Sequence, residues 1–222
     1  MHPLASALLT ALFPQENACH LCGRWAHRSI LCEQCLAELA RQRIKYSRQA
    51  QYRRDGLRVA LACWKHQSIP RRLVHHLKYQ ADPRAAVLLG EGMTEALQEE
   101  RKLLESVDLV VPVPLHPERE KTRGYNQAAL LTAEICRLTG LKAEYNLLFR
   151  THATGAQVYR NRAERLAAMR GAFAVANAEA LQGRRILLVD DVFTTGATAL
   201  ACAGVLLHAG AQEVNVITAC RA

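Results

Sequence analysis

The chain has 222 residues, half of them hydrophobic, 22% charged and only 5% aromatic, a balance that excludes a disordered or fibrous protein. That length fits one α/β body with a small attachment and leaves no room for two full-sized domains. The formal charge is +9, and it is unevenly spread: residues 1–80 hold 13 Lys and Arg against 4 Asp and Glu, whereas residues 81–222 hold 16 of each. Such asymmetry describes a basic binding surface joined to a neutral body.

Residues 1–16 contain a short apolar run with no Lys or Arg before it. No run approaches the ~20 apolar residues of a membrane span. The expected compartment is the cytoplasm, where thiols stay reduced and closely spaced cysteines read as metal ligands or redox centres.

Cys19-His-Leu-Cys22 and Cys32-Glu-Gln-Cys35 are two CxxC pairs nine residues apart. Two residues between thiols let one tight turn offer both sulfurs to one ion. Two such turns complete the closed tetrahedral site that structural Zn²⁺ prefers. Gly23 fits the sharp turn after the first pair, while His20 and His27 are alternative ligands. Cys63, Cys136, Cys202 and Cys220 stand alone in apolar patterns and read as small core residues.

Residues 1–40 therefore form a zinc-knuckle or zinc-ribbon module, residues 41–80 a basic linker and the start of the core, and residues 81–222 the main domain. The linker carries Arg41, Arg43, Lys45, Arg48, Arg53 and Arg54, interleaved with Tyr46 and Tyr52. Cations neutralise phosphates and aromatic faces stack on unpaired bases, which is the chemistry of single-strand nucleic-acid binding. The other reading is a solvated helix face.

From Arg84 the pattern alternates. It predicts a helix over Arg84–Ser106, a buried strand over Val107–Val113, a helix over Tyr125–Thr139 stopped by Gly140, a strand over Arg185–Val189, a helix over Ala197–Ala209 ended by Gly210, and a strand over Glu213–Ala219. Alternation of this kind implies a mainly parallel sheet with helices on its faces, and ligands bind beyond the carboxyl ends of its strands.

One strand end carries the most informative residues, Val189-Asp190-Asp191-Val192-Phe193-Thr194-Thr195-Gly196-Ala197-Thr198. A helix N-terminus presents unpaired N–H groups, so the Thr/Gly loop is a ready phosphate site. Gly196 permits close backbone approach, and the threonines add hydroxyl donors. Two adjacent acids would repel a bare phosphate; they suit ribose hydroxyls or a magnesium-bearing ligand. The constellation calls for a sugar phosphate. It is not a nucleotide P-loop, because GxxxxGK[ST] is absent.

This segment resembles the phosphoribosyl diphosphate (PRPP) signature of type I phosphoribosyltransferases. The chain is similar over nearly its whole length to the ComF family of competence-associated proteins in that superfamily. The likeness rests on LLTALFPQENACHLCG, the segment around Lys78-Tyr79, VVPVPLHPEREKTRGYNQAALL, the stretch Arg150–Phe173, and VDDVFTTGAT. It implies an α/β, parallel-sheet type I phosphoribosyltransferase fold with an N-terminal four-cysteine zinc module.

By the resemblance, Asp190 and Asp191 hold the ribose hydroxyls of Mg²⁺-bound PRPP, and Thr194, Thr195, Gly196, Ala197 and Thr198 its 5′-phosphate. The loop with His116, Arg119 and Arg123 lies near the diphosphate; the alternative for Arg119, Lys121 and Arg123 is a solvated turn balanced by Glu118 and Glu120. Arg150, Thr154, Gln157 and Arg165 belong to a mobile lid, although Ala168 stands where family members usually carry Asn. The implied role is handling internalised single-stranded DNA during natural transformation, with a helicase or other DNA-processing protein as a partner. The alternative is an active phosphoribosyltransferase of nucleotide metabolism, of purine, pyrimidine or amido type. No residue identifies an acceptor pocket.

Overall fold

The computed structural model describes residues 18–26, 29–44, 56–80, 82–151 and 171–222. In chain order the elements are α1 (Glu33–Arg41), β1 (Ala60–Lys65), α2 (Ser68–Tyr79), α3 (Pro83–Glu99), α4 (Arg101–Leu104), β2 (Leu109–Pro112), α5 (Pro117–Arg123), α6 (Gln127–Thr139), β3 (Leu148–Arg150), β4 (Phe173–Val175), β5 (Arg185–Phe193), α7 (Ala197–His208) and β6 (Glu213–Arg221). The sheet runs β1-β6-β5-β2, and all three pairings are parallel. β3 and β4 form a separate antiparallel pair.

β5 explains why the core has two halves. Successive strand side chains point to opposite faces, so Leu187 and Val189 pack with α2, α3 and α6 residues such as Leu73, Leu89 and Leu131. Ile186 and Leu188 pack with Cys202 and Leu206 of α7 and with Phe173. A strand covered on both sides must be apolar at every position, which Ile186–Val189 satisfies. The knuckle joins the first half, because Cys19, Leu21, Leu31 and Leu39 are buried in the same cluster as Leu73 and Leu77.

Several sequence expectations need adjustment. The helix over Arg84–Ser106 is two helices, since the chain leaves α-helical dihedrals at Glu100 (φ −100°, ψ 53°). β5 does not stop at Val189, because β6 continues beside it and pairs Asp190 with Thr218 and Phe193 with Arg221. The segment carrying Arg119 and Arg123 is a helix, not a loop: Pro117 starts it, His116 Nδ1 accepts from the Glu118 N–H (3.2 Å), and Gly124 ends it at φ 84°. Strand β1 and helix α2 fall within residues 41–80, the stretch read as a basic linker and the start of the core.

Candidate functional site

The knuckle is built by backbone hydrogen bonds. Gly23 N–H donates to Cys19 O (2.8 Å) with Gly23 at φ 72°, and the Cys19 and Cys22 thiols are thereby turned to one point. Cys32 is the N-cap of α1, so Cys35 follows on its first turn. The four sulfurs lie within 4.8 Å of one another, with Cys22–Cys32 at 3.6 Å and Cys22–Cys35 at 3.7 Å. A tetrahedral ion with Zn–S bonds of ~2.3 Å separates its sulfurs by ~3.8 Å, so the residues fit zinc. Burial opposes ionisation of Cys19, but the backbone groups of Cys32, Cys22 and Leu21 outweigh it and bring the thiol down to about 6. Burial and the neighbouring sulfurs push Cys35 up. A bound cation would hold all four as thiolates.

At the carboxyl end of β5 the alternation continues, and the two acids diverge. Asp191 is buried and meets Lys78 of α2, Nζ to Oδ2 2.8 Å. Asp190 is partly exposed and on the other face, toward Cys202 of α7, whose thiol is pushed up by burial and then by Asp190. Desolvation and then the charge of Asp191 push the Asp190 carboxyl up to about 8, although its Oδ1 accepts from the Asp191 N–H (2.8 Å). Burial and the neighbouring acid thus favour the protonated form of Asp190, and the Lys78 ammonium lies against Asp191. The pair presents less negative charge to an approaching phosphate than two free carboxylates would.

Beyond them, Gly196 adopts φ 79° and is the N-cap of α7 without a side chain, so the first-turn N–H groups have no capping side chain from it. Among the described residues the capping contact from a side chain here is a long one, Ala197 N–H to Thr195 Oγ1 at 3.5 Å. Thr194 is exposed, and Thr195 and Thr198 are half-buried.

A cleft of about 860 Å³ lies between α2 and α5, lined by Lys78, Tyr79, Gln80, Glu118, Arg119, Thr122, Arg123 and Tyr125. Three cations face it against one acid. Tyr125 Oη donates to Leu77 O (2.5 Å), the Arg123 guanidinium sits 5.5 Å from the Tyr79 ring centroid, and Arg123 also bonds Gln127. Asn126 Nδ2 donates to Val113 O (3.0 Å), tying the segment to the end of β2. His116, the α5 cap, is not among the cleft walls, and neither is the 194–198 loop. Lys78 is the residue common to the cleft and the acid pair.

Of the basic stretch, Arg41 is exposed and pairs with Glu38 (3.1 Å). Arg43 is an internal strut: it stacks over Trp64 (5.3 Å) and reaches Glu95 (3.3 Å) and Glu99 (3.8 Å). Lys45, Tyr46, Arg48, Tyr52, Arg53 and Arg54 lie outside the described residues, as do Thr154, Gln157 and Arg165. Arg150 ends β3, with its guanidinium 5.5 Å from the Phe173 ring centroid. Sequence reasoning missed the role of Lys78. A single lysine in an amphipathic helix gives no pattern that marks it as the partner of an acid more than a hundred residues away.

The chain is thus an α/β protein with an all-parallel sheet and a tetrathiol knuckle. No family model matches it. It is 31% identical over 207 residues to DNA utilization protein YhgH of Escherichia coli O6:H1, covering 91% of this chain and 89% of the relative. It is 30% identical over 209 residues to competence protein ComFC of Bacillus subtilis, covering 92% and 78%. The chain belongs to the ComF family. Solved structures similar to it include the glutamine PRPP amidotransferase from B. subtilis, at a TM-score of 0.40 and 20% identity over 64% of this chain and 30% of that one. A purine phosphoribosyltransferase from Pyrococcus horikoshii gives 0.38 and 15%, over 61% and 83%. Among the described residues no helix is long and apolar enough to cross a membrane.

Proposed function

We propose that this protein handles internalised single-stranded DNA in the cytoplasm during natural transformation, alongside a helicase or other DNA-processing protein, and that its body binds PRPP with Mg²⁺. Membership of a family whose relatives are named for competence and DNA utilization carries the first part. The start of α7, which no side chain caps closely, beside an acid pair whose charge Lys78 offsets, supports the second.

In this reading the N–H groups after Gly196, with Thr194, Thr195 and Thr198, take the 5′-phosphate, and Asp190 meets the ribose. Asp191 positions Lys78, whose ammonium faces the cleft where Arg119 and Arg123 receive the diphosphate. Carboxylate and diphosphate oxygens are the ligands Mg²⁺ prefers, and the ion would supply charge neutralisation. His116 then acts through α5, as its cap. Arg41, Lys45, Arg48, Arg53 and Arg54 serve the DNA, with Tyr46 and Tyr52 offering stacking faces.

Two titrations test the reading. Calorimetry with Mg²⁺ and PRPP should show saturable binding that falls more than tenfold in Gly196→Ala, where a side chain must adopt a left-handed conformation at the phosphate. Unchanged affinity rejects the loop assignment. Neutralising Arg41, Arg53 and Arg54 together should flatten the salt dependence of single-strand binding by about 2 in log-log slope, at ~0.7 per phosphate contact; an unaltered slope rejects the DNA surface. Repeating the first titration with nucleobases present, and assaying diphosphate release, decides whether the site also performs transfer.

A further inference from the structure

We propose that His20, His76 and Asp82 form a second metal site, distinct from the four-cysteine centre, which takes a divalent first-row cation such as Zn²⁺ and fastens the knuckle to the body.

Three separate elements deliver the ligands. His20 lies between Cys19 and Cys22 in the knuckle, His76 is in the last turn of α2, and Asp82 is the N-cap of α3. Their side chains are only 12%, 17% and 7% exposed. One potential ligand atom from each converges: His76 Nδ1 is 3.1 Å from His20 Nε2 and 3.7 Å from Asp82 Oδ2, and His20 Nε2 also contacts Asp82 Oδ2. All three lie within 4.8 Å of one another. An ion with bonds of ~2.0–2.1 Å at tetrahedral angles separates neighbouring ligand atoms by ~3.3 Å, which lies between the two edges that His76 makes and requires the His20–Asp82 contact to open around the ion.

Protons alone satisfy this cluster poorly. A proton on His20 Nε2 serves the carboxylate and leaves His76 Nδ1 facing a nitrogen whose hydrogen is already engaged. A cation satisfies all three lone pairs together. Asp82 is also oriented as an outer shell would orient a ligand: its Oδ1 accepts from the Arg84 N–H (3.0 Å), which leaves Oδ2 for the ion.

Two imidazoles and one carboxylate suit Zn²⁺, Co²⁺ or Fe²⁺ rather than Mg²⁺ or Ca²⁺. Three protein ligands leave a position for water or an anion, unlike the closed four-sulfur centre. With neutral imidazoles the site carries +1 beside a zinc tetrathiolate of −2, so the two centres attract.

The test uses the full chain, treated with a mild chelator to strip weakly held metal and then titrated with Zn²⁺ against a chromophoric competitor, with total metal counted by mass spectrometry. The wild type should bind two equivalents. His76→Gln and Asp82→Asn should keep the tight equivalent and lose the second by at least tenfold in affinity; asparagine retains the helix cap. With Co²⁺ the second equivalent should add weak visible bands without the thiolate-to-metal absorption of the first. A single equivalent in the wild type, a second that persists in both variants, or a second with thiolate absorption overturns the proposal. Should both variants also lose the tight equivalent, the wild-type stoichiometry and cobalt spectrum decide alone.

Discussion

Replacing Lys78 with methionine keeps most of the apolar stem and removes the cation that, among the described residues, pairs with buried Asp191, 2.8 Å away. Breaking a buried pair from one side costs about 3–5 kcal/mol when water is excluded. Lys78 is 25% exposed, so solvent shares the load and about 2–4 kcal/mol is expected near pH 7.5. The sign with pH is definite. Lys78 lowers the Asp190 carboxyl, which burial and then Asp191 push up to about 8; without the ammonium that carboxyl rises further. Where the variant's folded state holds a proton that the wild type has released, the variant loses stability faster as pH rises. That window opens near pH 8 and is worth at most ~1.4 kcal/mol per pH unit, so the loss should grow by about 1 kcal/mol between pH 7 and pH 9. Urea unfolding of both proteins at pH 7 and 9, with zinc present, reads this directly. An equal loss at both pH values would mean that Lys78 matters through its methylenes, and the account of the acid pair would fail.

Other perturbations follow the same logic. Gly92→Ala places a Cβ 2.1 Å from Cη2 of Trp64; it should cost about 1–3 kcal/mol by overpacking, whereas an unhindered helix position would gain about 1 kcal/mol from the same change, so the sign of the shift in thermal midpoint decides. Arg43→Met should lower stability by about 1 kcal/mol through its lost ring and carboxylate contacts and leave single-strand affinity within about twofold in a fluorescence titration. Asp108 is held down at about 2, chiefly by the side-chain hydrogen bonds of Arg185 and then by that residue's N–H. A depressed carboxyl stabilises above the unfolded value and loses its effect as pH falls through the folded one. Urea midpoints should therefore decline less between pH 5 and pH 3 in Asp108→Asn than in the wild type.

What the sequence made legible was set by short-range pattern. Two CxxC pairs, an apolar run leading into two acids, and Gly140 and Gly210 as stops each act through neighbours in the chain, and each stands where the pattern put it. What it hid was set by partners distant in sequence. β1 was unreadable as a strand because Ala60–Lys65 owes its place to pairing with β6. β5 outran its apolar run because β6 offered a ladder beyond it. Arg43 read as a free cation because nothing local announces Trp64 and Glu95. The divergence of Asp190 and Asp191 was available in principle, since period-two alternation separates any adjacent strand pair, but only once the strand was known to continue through them.

Helix α2 gives these separate features a common axis. His76 and Lys78 are two residues apart in its last turn, about 3 Å along the axis, and one grips the knuckle side of the molecule while the other grips the acid pair. So short a rigid piece cannot yield at one end and stay put at the other. Anything that tugs the cysteine module, whether a bound polymer or a docked protein, works the same crank that sets the ammonium at the mouth of the cleft.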